Sequence, residues 1–198
     1  MIHQTYFLTF METAITRRWL RSGEQWVETT GFKPPATTQD LGKVYVFACA
    51  QTQWPFYVGK TKRSIGGRLG GAFKCTPDNR ANGFAGYRFK RERTSAFLHV
   101  FLGDPSSPWT SQDAECIEAE VVFRIRRDSG AWPAFQSEIH FAPPTAQHSA
   151  AADEIIAHFQ QLSNEPLPLP LGREALPSLT YIAPALEIGI ADVENISI

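Results

Sequence analysis

A chain of 198 residues, 43% of them apolar, suits one domain with elaborations and has ample material for a core, while a net charge of −1 by itself suggests no charged partner. Three widely spaced cysteines (Cys49, Cys75, Cys116) without a C-x-x-C indicate neither a disulfide framework nor a zinc site, which fits a reducing compartment. The start lacks a basic n-region followed by a clean apolar stretch, and no run approaches membrane-spanning length, so the expected location is cytoplasmic with no membrane partner.

The charge is unevenly spread. Ten Lys/Arg face two acids between Tyr57 and Thr94, a local +8 that leaves −9 for the remainder. Such asymmetry marks a polyanion-binding face, the plainer alternative being a basic solvated surface.

In chain order, Phe7, Phe10, Met11, Ala14, Ile15 and Trp19 fall near helical spacing, with Ser22-Gly23 as a stop. Residues 1–40 are therefore expected to be a helical extension and connector. Val44–Phe47 and Phe56–Val58 read as two strands of a hairpin, separated by a longish loop. An even register sum would put Tyr45 and Tyr57 on one face.

Residues 60–76 should hold a helix, weakened by Gly66, Gly67, Gly70 and Gly71 at up to about 1 kcal/mol each. Close approach of a phosphate backbone or of a packed strand would account for them. Gly59-Lys60-Thr61 imitates the end of a P-loop, but Trp54 stands where that motif needs glycine. Residues 76–95 interleave Phe84, Tyr87 and Phe89 with Arg88, Lys90, Arg91 and Arg93, a pattern suited to phosphates and stacked bases.

Ala96–Leu102 reads as a third, buried strand, with His99 a satisfied sheet histidine rather than a ligand. A helix capped by Thr110 or Ser111 should run to about Arg127 and stop at Gly130, and a further helix covers 149–162. Prolines at 166, 168, 170 and 177 make 164–198 a proline-rich linker and tail, which could pack on the domain, add an edge strand or bind a partner.

One carboxylate stands out. Ala114, Ile117, Val121, Val122 and Ile125 share a helix face, and Glu118 lies within that apolar stripe. A carboxylate there needs a partner or a metal, whereas Glu115 and Glu120 lie off the stripe and look solvated.

Val44-Tyr45-Val46, Tyr57-Val58-Gly59-Lys60-Thr61 and Arg68, with the frame around Glu118, together resemble the signature of the GIY-YIG nuclease superfamily from about Leu41 to Phe141, within a domain expected to span 41–163. The resemblance implies an α/β (α+β) sandwich with a three-stranded antiparallel sheet flanked by helices. It implies a divalent-metal-dependent DNA endonuclease using Mg²⁺, with Mn²⁺ as a substitute. The alternative is a non-catalytic nucleic-acid-binding module of the same fold. Implied site residues are Tyr45, Tyr57, Lys60, Arg68 and Glu118, the last as metal ligand with Glu120 as its alternative. A salt bridge from Glu118 to an arginine is the structural reading. Lys62, Arg63, Arg88, Lys90, Arg91 and Arg93 would bind nucleic acid. Two departures are the missing glycine in the first triplet and Ala72 where many members carry His or Tyr; Tyr87 or His140 could fill that role in space.

Overall fold

The computed structural model describes residues 1–11, 13–74, 88–136 and 139–170. Its elements are β1 (Ile2–Met11), β2 (Ala14–Ser22), β3 (Gln25–Glu28), β4 (Lys43–Ala48), β5 (Pro55–Thr61), α1 (Ile65–Phe73), α2 (Phe89–Glu92), β6 (Ser95–Leu102), α3 (Ser111–Ser129) and α4 (Ala146–Asn164). The strands form one antiparallel sheet of six in the order β3-β2-β1-β6-β4-β5.

Mixed α and β structure is as expected, but the sheet is twice as wide as expected. The three anticipated strands are β4, β5 and β6, with β4 between the other two. The expected helix over the first thirty residues is a meander, β1 to β3, extending the sheet beyond β6.

The physical reason is burial on both faces of β1. Tyr6, Leu8 and Phe10 point into one core layer and Phe7 into the other, so the polar alternation of a half-exposed strand is erased. The surviving apolar positions then fell near a helical period. Their aromatic and β-branched character was the better guide. Ser22-Gly23 ends no helix: Gly23, at φ +58°, turns β2 into β3.

Two layers sandwich the sheet. On one face α1 buries Ile65, Leu69, Ala72 and Phe73 against Tyr45, Phe47 and Tyr57. On the other, α3 and α4 cover Val44, Val46 and Val58 with Ile117, Val121, Ile125, Ile155 and Phe159. Each fully buried aliphatic or phenylalanine side chain contributes roughly 1.5–3 kcal/mol.

Local chemistry sets the ends of α3. Thr110 caps it in a reciprocal box with Asp113, and Gly130 closes it at φ +76°. The chain after α4 lies on the domain as far as it is described: Gln53 Nε2 donates to the Leu167 carbonyl and Trp26 Nε1 to that of Pro168, each at 2.8 Å. The rest of the expected tail, 171–198, lies outside the described residues.

Candidate active site at the β5 edge

β5 is an edge strand, with α1 on one face and α3 on the other, so side chains from the two helices can meet only around its free edge. That geometry assembles the site. Tyr45 pairs with Gly59 and Phe47 with Tyr57, an even register sum that puts both tyrosines on the α1 face with ring centroids 6.2 Å apart.

Gly59 is required by this packing. A Cβ there would lie 2.5 Å from Cζ and Oη of Tyr45, so only glycine lets the phenol lie across β5. Arg68, half-buried on α1, donates from Nε to the Tyr45 hydroxyl at 3.2 Å. Tyr57 also hydrogen-bonds to Tyr45; burial first, then the negative charge of its neighbours, pushes Tyr57 well above the usual phenol range.

Glu118 approaches from the opposite layer. Its charge is felt by Tyr57, and it in turn feels Lys60, Glu115, Arg68 and His140. Among the described residues it takes part in no hydrogen bond and no ion pair. Burial therefore dominates and raises its carboxyl to about 8, against the opposing pull of Lys60 and Arg68.

The other acids of α3 are engaged. Glu115 takes Lys60 Nζ at 2.9 Å and His140 Nδ1 at 3.2 Å, which together hold its carboxyl below the usual range. Glu120 is bound to Arg124, itself fixed by Asp153 at 2.7 Å. Both lie off the apolar stripe as the helical wheel predicts, but each is half-buried and ion-paired rather than simply solvated, Glu120 being held by Arg124. The expected arginine salt bridge to Glu118 is absent among the described residues.

Glu115, Gln136 and His140 complete the surroundings. Gln136 Oε1 accepts the Val58 N–H at 3.1 Å while the Phe135 N–H reaches the Phe56 carbonyl at 2.9 Å, closing part of the β5 edge. Only the position of Glu115, one turn before Glu118, could have flagged it in advance. His140 stands beside Glu115, and Tyr87 lies outside the described residues. Ala72 is a core methyl whose carbonyl receives a lysine.

That lysine is Lys90, and its expected role on nucleic acid is not where the structure puts it. It is buried, donating from Nζ to the Phe73 carbonyl at 2.7 Å and the Ala72 carbonyl at 3.3 Å, so it caps the C-terminal end of α1. Arg93 is half-buried over Phe56, 4.7 Å from its ring centre. Lys62, Arg63, Arg88 and Arg91 are exposed. Arg88 also reaches the Ala134 carbonyl at 3.4 Å. Arg80 and Phe84 lie outside the described residues.

Gly70 on α1 faces open space: an added Cβ meets no described atom within 4 Å, so no described strand explains it. Beside it opens a cleft of about 500 Å³ lined by Arg18, Phe32, Ser64, Gly66, Gly70 and Lys74. No described helix is long and apolar enough to cross a membrane.

Comparisons with family models, with curated proteins and with solved structures found no match to this chain.

Proposed function

We propose that this chain is a divalent-metal-dependent endonuclease of the GIY-YIG type, acting on DNA. The observation that carries the reading is Glu118: a desolvated carboxyl group without a hydrogen-bonding partner among the described residues, facing Arg68, Lys60 and Tyr57 across a sheet edge. A lone acid so placed fits a hard cation that keeps most of its waters and borrows phosphate oxygens. Mg²⁺ on Glu118, with Mn²⁺ as a substitute, would neutralise the scissile phosphate and stabilise the leaving 3′ oxygen.

The chain's own groups divide the remaining work. Arg68 presents a planar guanidinium to the non-bridging oxygens, where charge grows during attack. Tyr45 accepts from Arg68 Nε and lies beside the proton-retaining Tyr57, and in this reading it is the phenol that relays the proton of an attacking water. Lys60, tethered to Glu115, holds positive charge beside Glu118. Lys62, Arg63, Arg88 and Arg91 supply exposed cations for the flanking phosphates. The smooth Gly66–Gly70 side of α1, with Lys74 and Arg18 in its cleft, lets a backbone approach closely.

Incubating the chain with supercoiled, branched and single-stranded substrates side by side in Mg²⁺ or Mn²⁺ tests this. Nicking by wild type that is lost in Glu118→Ala and Arg68→Ala supports the proposal. Binding with no cleavage in either ion supports a nucleic-acid-binding module instead.

A further inference from the structure

On the face of the sheet covered by α4, away from the β5 edge, three of the chain's five histidines converge. The strand period puts His3 and Thr5 of β1 on one face, and the register sets Thr5 opposite His99 and His3 opposite Phe101 on β6. From above, α4 lowers His158 onto the same spot. His99 Nδ1 lies 3.3 Å from His3 Nε2 and 3.2 Å from His158 Nε2. Thr5 Oγ1 lies 3.1 Å from His3 Nε2 and 3.2 Å from His99 Nδ1.

Hydrogen bonding serves this cluster poorly. A neutral imidazole nitrogen has one in-plane lone pair, yet His99 Nδ1 faces two ring nitrogens and a hydroxyl. The other nitrogen of the fully buried His99 has no partner among the described residues, so His99 is not the satisfied sheet histidine expected from sequence.

A cation at the point of convergence would instead take one lone pair from each ring. Tetrahedral zinc, with Zn–N of about 2.0–2.1 Å, sets neighbouring ligand atoms about 3.3–3.4 Å apart; the two spacings to His99 match this, and all three ligand atoms lie within 4.8 Å of one another. Burial, reinforced by mutual repulsion, lowers His3 to about 3 and keeps His99 far below its usual range, and burial lowers His158 to about 4. All three rings are therefore neutral at pH 7, and no proton need be displaced for them to ligate.

We propose that His3, His99 and His158 form a zinc-binding site, separate from the Glu118 site and independent of the nuclease reading. An all-imidazole donor set selects a borderline ion of the zinc type over Mg²⁺. Thr5 Oγ1 lies against two of the three ring nitrogens, on the side where a fourth ligand would stand. Because the ligands come from β1, β6 and α4, the ion ties the first strand and the last described helix to the middle of the sheet.

The test uses the full chain without an added histidine tag, stripped with chelator and then titrated with Zn²⁺ against a chromophoric competitor. Mg²⁺ serves as comparator and melting temperature as a second readout. One equivalent of zinc and a raised melting temperature are expected; in Glu118→Gln, which lacks the proposed Mg²⁺ ligand, zinc should still raise the melting temperature and Mg²⁺ should not. His3→Ala and His158→Gln alter partly exposed rings, so the fold survives, which circular dichroism verifies. Each should weaken zinc binding beyond the roughly 10–100-fold that loss of a supporting contact produces, while Glu118→Gln should not. Failure of wild type to bind zinc, or unchanged affinity in both histidine variants, would overturn the proposal.

Discussion

Replacing Glu118 by glutamine, equal in shape and uncharged, separates fold from function at the β5 edge. The folded protein raises this carboxyl from 4.5 to about 8, mainly by burial. Between those values the folded chain keeps a proton that the unfolded chain has released. Stability contributed by the protonated form is thus complete below about 4.5 and lost as pH climbs to about 8. Every tenfold change in proton affinity between the two states is worth about 1.36 kcal/mol. Partial exposure of the group reduces the total to the order of 2–3 kcal/mol. At about 2–4 °C per kcal/mol for a domain of this size, metal-free Glu118→Gln should melt roughly 5–10 °C above wild type at about pH 8.5. The gap should close near pH 4.5. Mg²⁺ should raise the wild type at that alkaline pH and leave the variant unchanged, and the variant should not cut DNA. Scanning calorimetry across pH, with and without Mg²⁺, reads all of this. A variant less stable than wild type at alkaline pH without metal would mean that Glu118 is an ionised partner in a structural pair, and the reasoning would fail.

Arg68→Lys keeps the charge but loses the planar fork and the Nε bond to Tyr45; cleavage should drop about 10²–10³-fold with the melting temperature nearly unchanged, and full activity would remove Arg68 from the chemistry. Gly59→Ala drives a methyl into the Tyr45 ring and should cost about 1–3 kcal/mol in denaturant unfolding; Tyr45→Ala in the same chain should recover part of it, and strict additivity would refute the contact. Lys90→Met should destabilise by about 1–3 kcal/mol through two lost carbonyl bonds while leaving DNA affinity intact. Arg63→Gln and Arg91→Gln should do the reverse: stability within about 0.5 kcal/mol of wild type, and a salt dependence of DNA binding shallower by about one unit each.

Much of the site could be read in one dimension because its parts are local. A glycine after Tyr57-Val58, an arginine one helix later and an acid inside an apolar stripe are each features of a single turn or strand. The caps at Thr110 and Gly130, the pairing parity of Tyr45 and Tyr57, and the oddity of Glu118 all follow from periods of 3.6 and 2. Those periods failed where an element is buried on both sides, as in β1, whose lost alternation imitated a helix. They also could not sort one run of basic residues into Lys90, folded inward onto α1, and Arg91, left outside. Nor could they join His3, His99 and His158, separated by up to 155 positions along the chain.

What the amino-acid order determined alone was therefore the chemistry on offer: two phenols, a guanidinium, a buried acid and the elements that carry them. Tertiary structure decided which of these meet. By leaving β5 at the edge it let α1 and α3 bring Arg68 and Glu118 around the strand from opposite layers, and by placing β1 against β6 it gathered the histidines. Burial and strand order depend on every element at once, and no single stretch encodes them.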